Sequence, residues 1–254
     1  GAVNAKSISI NGTSTLTITQ ATNIATAGTG AITLNSTSSV IIGAAVAVAI
    51  GSTTYRGNIV MNEFSTLTTT AATDMTLSGT WTVSEDATIN LNVATILRFV
   101  GTTALSLPGT LNANDRIADM YVNKTGSSVT LNDTLHLSGN LSITTGTLVV
   151  GENGFRVTGT TGISAGATLN ANYTDASLTR TFTGAVTVDG TLNSSGPRMA
   201  YTPPAVPNPY NNTFTANIDI PETGTININN STTTFTGTVE NSSLVTGAII
   251  NALG

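Results

Sequence analysis

The chain has 254 residues, only 8% of them charged, with a net charge of −5 and no cysteine. Eight Lys and Arg residues in all do not make the clustered cations that phosphate neutralisation needs, which argues against nucleic acid and against a polybasic membrane-surface site. The lack of cysteine removes disulfide staples, thiolate metal sites and thiol nucleophiles, and a chain of this length can bury a core without them.

What remains is dominated by Thr, Ser, Asn, Gly, Ala and β-branched aliphatics, while the charged helix formers are scarce. Thr, Val and Ile favour strands, and Gly and Asn favour turns, so the composition predicts an all-β chain. The opening residues, GAVNAKSISI, lack a basic segment followed by an apolar one and therefore read as a mature start rather than a signal peptide. Low charge with abundant Thr, Ser and Asn points to a secreted, extracellular or cell-surface location.

Taken in order, residues 1–60 carry apolar pairs two apart: Ile8/Ile10, Leu16/Ile18, Ile32/Leu34 and Val40/Ile42. Such alternation puts both members of a pair on one face of a strand. The run from Val40 to Gly51 (VIIGAAVAVAIG) is too short to span a bilayer and reads as one fully buried strand. Residues 61–74 lose the rhythm and predict a bulged rung or short connector. It returns at Met75/Leu77, Trp81/Val83, Ile89/Leu91 and Leu105/Leu107. The densest charges follow at Asp115, Arg116, Asp119 and Lys124, and residues 114–121 are the one stretch that reads as a helical turn.

Residues 130–172 show the pattern most clearly, with Leu135/Leu137, Leu141/Ile143, Leu148/Val150, Phe155/Val157, Ile163/Ala165 and Leu169/Ala171 separated by Gly-, Asn- and Thr-rich turns. The pairs recur at intervals shorter than a meander of ordinary strands and loops would give. Three short strands then make one rung of about 20 residues, in the range of stacked repeats. The predicted architecture is a single-stranded parallel β-solenoid running through residues 1–254. Residues 196–212 (GPRMAYTPPAVPNPYNN) hold five of the seven prolines and cannot join a ladder, so they predict an inserted surface loop. Beyond it the pattern resumes at Ile218/Ile220, Ile226/Ile228, Phe235 and Val239.

Candidate chemistry is thin. Asp115, Arg116 and Asp119, or Asp133 with His136, could serve a polysaccharide lyase or hydrolase, but charged residues in turns are ordinarily solvated, and no enzyme activity is expected. His136 lies between Leu135 and Leu137 and should point away from the core. No cofactor is expected; a structural calcium at Glu85 and Asp86, or at Asp115 and Asp119, is the one ion the carboxylates admit. The Thr-rich stretches at Thr15–Thr19 and Thr66–Thr70 lack the even rung-to-rung spacing of an ice-binding face. Trp81 reads as core; Tyr121, Tyr173, Tyr201 and Tyr210 are the aromatic residues left for sugar stacking.

The segment VNKTGSSVTLNDTLHLSGNLSITTGTLVVGENGFRVTGTTG, beginning at Val122, resembles the Thr/Gly/Asn-rich repeats of secreted bacterial parallel β-helix proteins, both autotransporter-passenger-like and adhesin-like. The likeness covers residues 75–195 well and the first 60 loosely. It implies an extracellular right-handed β-helix serving adhesion or structure, and it carries over no catalytic residues.

Neither end shows the polar cap that soluble solenoids use, and edge-guarding lysines number only two, Lys6 and Lys124. The expected function is therefore a structural subunit of an extracellular filament, fibre or sheath, a homopolymer joined through Ala2, Val3, Ile8 and Ile10 at one end and Leu244, Val245, Ile249 and Ile250 at the other. The alternative is a monomeric adhesin that binds surface glycans or a host surface through Tyr201, Pro203, Pro204 and Tyr210.

Overall fold

The computed structural model describes the backbone of residues 2–5, 8–10, 15–18, 22–26, 31–34, 39–42, 47–50, 58–69, 74–172, 179–194, 211–214, 217–220, 224–227, 232–235, 238–240 and 249–251. Side chains are described for Leu16 and for residues 59–69, 74–172, 180–194, 217–220, 224–227 and 238–240. Every regular element among the described residues is a β-strand, and the strands stack in parallel as a β-solenoid, as the short alternating pairs predict. The chain divides into two compact units, residues 1–129 and 130–254, and the division falls within the strand Met120–Leu131.

In the first unit the first four turns of the coil each lay one strand on each of three sheets. The first sheet holds Ala2–Ala5, Thr22–Thr26, Ala47–Ile50, Asp74–Leu77, Ile96–Gly101 and Met120–Leu131. The second holds Ile8–Ile10, Ala31–Leu34, Asn58–Met61 and Trp81–Val83; the third holds Thr15–Ile18, Ser39–Ile42, Thr66–Thr69 and Thr88–Asn90. Parallel pairing in register stacks like on like. Ile24, Ile50, Leu77, Phe99 and Val122 form one column, and Ile8, Ile32, Ile59 and Trp81 another. The lap that joins Ile59 to Trp81 is the same length as the one that joins Thr66 to Thr88, whereas the lap from Ala31 to Asn58 is longer.

Burial follows the two-residue period: Met75, Leu77, Leu97, Phe99, Met120 and Val122 are buried while their strand neighbours face outward. Removing each large apolar side chain from water contributes roughly 1.5–3 kcal/mol, and this is the main force holding the coil.

Three expectations need correction here. Within residues 61–74, residues 70–73 lie outside the described residues, and the described part 61–69 is neither bulge nor connector, since Thr66–Thr69 is a regular strand. Its inward positions are Leu67 and Thr69, and Thr69 hides from an apolar count. Its hydroxyl is satisfied inside by Thr95 Oγ1 at 2.9 Å and by the Asn92 amide at 2.6 Å. The VIIGAAVAVAIG run is not one strand but two, Ser39–Ile42 and Ala47–Ile50, in different sheets. Residues 114–121 form no helical turn. Asn112 Oδ1 accepts from the Asn114 and Arg116 amides while its Nδ2 donates to the Arg116 carbonyl, fixing a tight turn that feeds the strands Arg116–Ile117 and Met120–Leu131.

The second unit is also three-sided. One sheet runs Leu135–Leu137, Phe155–Val157, Thr179–Phe182, Asn211–Phe214 and Thr232–Phe235. The next runs from the start of Leu141–Val149 through Thr161–Ile163, Val186–Val188 and Ile218–Asp219 to Val239–Glu240. The third runs from the end of Leu141–Val149 through Thr168–Asn170, Thr191–Asn193 and Thr225–Asn227 to Ile249–Asn251. Leu148, Leu169, Leu192, Ile226 and Ile250 form one column of this unit. Leu137, Val157, Phe182, Phe214 and Phe235 form another.

Lap length varies here. The laps from Leu135 to Phe155 and from Asn211 to Thr232 are short, the one from Phe155 to Arg180 is longer, and the one from Arg180 to Asn212 is the longest of the four. That longest lap contains the proline-rich segment, and the columns keep their register across it. The segment expected at 196–212 ends sooner, because Asn211 and Asn212 already belong to a strand; residues 196–210 lie outside the described residues.

Two further expectations fail locally. Ala165 is exposed, and Ala167 is buried in its stead. Residues 164–167 form a tight turn in which the Ala167 amide reaches the Ser164 carbonyl, with Gly166 at φ +78°. Val239 is likewise exposed rather than core. One corner is built from stacked glycines: the Gly159 amide donates to the Gly139 carbonyl at 2.8 Å, and a Cβ on Gly159 would collide with that carbonyl. A Cβ on Gly184 would in turn strike the Gly159 carbonyl.

Candidate functional site

Consider first the edges. In the first unit the strands Ala2–Ala5, Ile8–Ile10 and Thr15–Ile18 each stand last in their sheet, hydrogen-bonded on one side only among the described residues. In the second unit Thr232–Phe235, Val239–Glu240 and Ile249–Asn251 hold the same position. A strand so placed offers a row of N–H and C=O groups to any further strand. Of the residues expected to make assembly contacts, Ala2, Val3, Ile8, Ile10, Ile249 and Ile250 lie on these edge strands. Leu244 and Val245 lie outside the described residues, as do Tyr201, Pro203, Pro204 and Tyr210 of the proline-rich segment.

The charged groups are dispersed along the coil. On the outer side of the first sheet of the first unit, register stacks Thr76, Arg98 and Tyr121, with Asp74 diagonal to Arg98. Arg98 Nε donates to both oxygens of Asp74, at 2.7 and 2.8 Å, and the guanidinium lies 4.1 Å from the centre of the Tyr121 ring. Half-exposed, such a cluster contributes about 1 kcal/mol or less per contact. Tyr121 thus has one ring face covered by Arg98 rather than left open for sugar stacking. Trp81 is core, as expected, with its indole N–H 3.5 Å from the Met61 sulfur.

The other expected carboxylates occupy corners. Glu85 and Asp86 are exposed in a turn; Asp115 and Asp119 are half-buried, with Asp115 at φ +47°. Asp133 Oδ1 accepts from the Thr134 amide at 2.7 Å. His136 points outward between the buried Leu135 and Leu137, its Nε2 2.9 Å from the Thr158 hydroxyl. Among the described residues no group of three or more His, Asp or Glu converges as a metal ion would require.

Sequence reasoning missed the buried cations. Lys124 is no edge guard: Met120, Val122 and Lys124 alternate inward, and Lys124 is 0% exposed. Gly101, its register partner, adds no side chain beside its stem. Nζ donates to the Ser78 carbonyl at 3.2 Å and the Thr103 carbonyl at 2.9 Å. Carbonyl dipoles replace only part of the lost hydration, so burial lowers the ammonium pKa from 10.5 to about 8. In the second unit Arg180 is also 0% exposed, stacked on Phe155, with Nη2 2.6 Å from the Gly151 carbonyl. The two-residue period carried the signal in both places, since Lys124 continues the alternation of Met120 and Val122, and Arg180 precedes Phe182 on the same strand face.

Also missed was an asparagine column. Asn170, Asn193, Asn227 and Asn251 stand in register, and Asn227 Nδ2 donates to Asn193 Oδ1 at 2.6 Å. Its mark in the sequence is the recurring triplet Thr-Leu-Asn or Thr-Ile-Asn at 168, 191 and 225, closing on Ile-Ile-Asn at 249. Side-chain amides stacked this way extend the hydrogen-bond ladder beyond the backbone.

No protein-family model, curated protein or solved structure matches the chain.

Proposed function

We propose that this chain is a secreted structural module of an extracellular, cell-surface fibre or sheath, which lengthens when a strand from another copy adds to an open sheet edge. The observation that supports the reading is the parallel, in-register stacking of the sheets among the described residues, a ladder that a further strand could continue. Parallel addition of this kind joins unlike surfaces, and such contacts propagate into filaments instead of closing into dimers. The low charge supports the same reading, because charged edge residues are what ordinarily deter strand addition.

The test is negative-stain microscopy with sedimentation of the purified protein across a range of concentrations. Fibres that grow with concentration, and that are lost in an Ile8→Lys, Ile10→Lys variant, are the expected outcome. Dispersed single particles at high concentration would refute it. A second reading, a monomeric adhesin that contacts a glycan or host surface through residues 196–212, draws support from the long lap between Arg180 and Asn212, which contains that proline-rich segment. Deleting residues 196–210 should abolish surface adhesion on this reading and leave fibre growth intact on the first.

A further inference from the structure

Phe64 is a bulky residue in a backbone conformation that suits glycine, and it is exposed. It stands third in the turn 62–65, closed by the Ser65 amide on the Asn62 carbonyl at 3.1 Å and by the Ser65 hydroxyl on the same oxygen at 2.6 Å. Its φ is +59°, and its side chain is 59% exposed. Turns 84–87, 92–95, 112–115 and 164–167 close with the same amide-to-carbonyl bond between first and last residue. Their third residues are Asp86, Ala94, Asn114 and Gly166, and of these only the glycine takes a positive φ. A side chain with a Cβ is strained there, and a Phe left in water recovers little burial in exchange.

Carboxylates lie in its own turn and on one neighbouring rung. Residues 62–65 and 84–87 lie between strand pairs that keep the same register, Ile59 with Trp81 and Thr66 with Thr88, so Glu85 sits a rung from Glu63 and Asp86 a rung from Phe64. The bonds from Ser84 N to Met61 O and from Thr88 N to Ser65 O, both 2.8 Å, fix the two turns against each other. Glu63, Glu85 and Asp86 are exposed, and neither turn carries a Lys or Arg.

We propose that Phe64 anchors a protein-binding surface whose partner offers an apolar face flanked by Lys or Arg. An aromatic anchor that buries on binding, flanked by charged residues, is the arrangement of an interface hot spot. The acidic flank selects a cationic partner and opposes a second copy, which would bring the same carboxylates face to face.

The test uses the full chain and a synthetic amphipathic peptide of Leu and Lys, with a Leu/Glu peptide as control, read by titration calorimetry and repeated at high salt. The wild type should bind the Leu/Lys peptide and not the Leu/Glu one, with affinity falling as salt rises. Phe64→Gly, and separately Glu63→Gln with Glu85→Gln and Asp86→Asn, should each weaken binding by about tenfold or more. Phe64→Gly should also raise the unfolding temperature by about 2–4 °C through release of backbone strain. Equal binding by wild type and Phe64→Gly would overturn the proposal, as would a lowered unfolding temperature, which would make Phe64 a packing residue. Self-association that depends on Phe64 would overturn the choice of partner.

Discussion

Lys124 makes the stability of the first unit rise with pH, with the same sign as a carboxylate of depressed pKa but in an alkaline window. Its ammonium is fully buried against two carbonyls, with no carboxylate paired to it among the described residues, and its pKa is lowered from 10.5 to about 8. The folded state therefore holds this proton less tightly than the unfolded chain. Below about pH 8 both states are protonated, and the full penalty of the buried charge is present, about 3 kcal/mol from the difference in pKa. As pH rises from 8 towards 10.5 the folded state loses the proton first and the penalty fades. Lys124→Met keeps the stem and removes the charge. Measured by urea unfolding at pH 7 and pH 10, the wild type should gain about 2–3 kcal/mol relative to the variant. Groups that titrate alike in both proteins cancel from that difference. A wild-type minus variant difference that stays constant between the two pH values would refute the argument.

The stacked glycine corner should tolerate no side chain: Gly184→Ala drives a Cβ into the Gly159 carbonyl and should cost roughly 1–3 kcal/mol in urea unfolding. Asn193→Ala deletes the acceptor of the 2.6 Å amide bond from Asn227 and should cost about 1 kcal/mol, with faster hydrogen exchange at residues 191–193 and 225–227. By contrast Asp74→Asn, on the half-exposed surface, should cost about 1 kcal/mol or less, and the cost should shrink as salt is added. A larger, salt-independent loss would mean that the Asp74, Arg98 and Tyr121 cluster is less open to water than its exposure indicates.

The sheets were legible because a parallel solenoid repeats a two-residue period at short intervals, and Leu135/Leu137 or Phe155/Val157 show it without help from distant contacts. Failures came where the inward residue was not apolar. Thr69, Lys124 and Arg180 all point into the core, and an apolar count passes over each of them. Turn chemistry caused the rest. Gly166 moves the inward register from Ala165 to Ala167, and the Asn112 side chain replaces an expected helical turn with a tight corner. The Asn column was missed for another reason: it is visible only once four triplets spaced unevenly along the chain are set side by side, and the proline-rich segment stretches the interval between Asn193 and Asn227 beyond the others.

That unevenness has a practical consequence. Successive laps of the second unit differ in length, the one through the proline-rich segment most of all, yet Leu192 still meets Ile226 and Val157 still meets Phe182. Lap length and lap alignment are thus decoupled, and a foreign peptide spliced into a corner would leave the neighbouring laps undisturbed. With strands about 4.8 Å apart, grafts on adjacent laps would be carried at fixed, molecular-scale intervals, which makes the coil a graduated display frame.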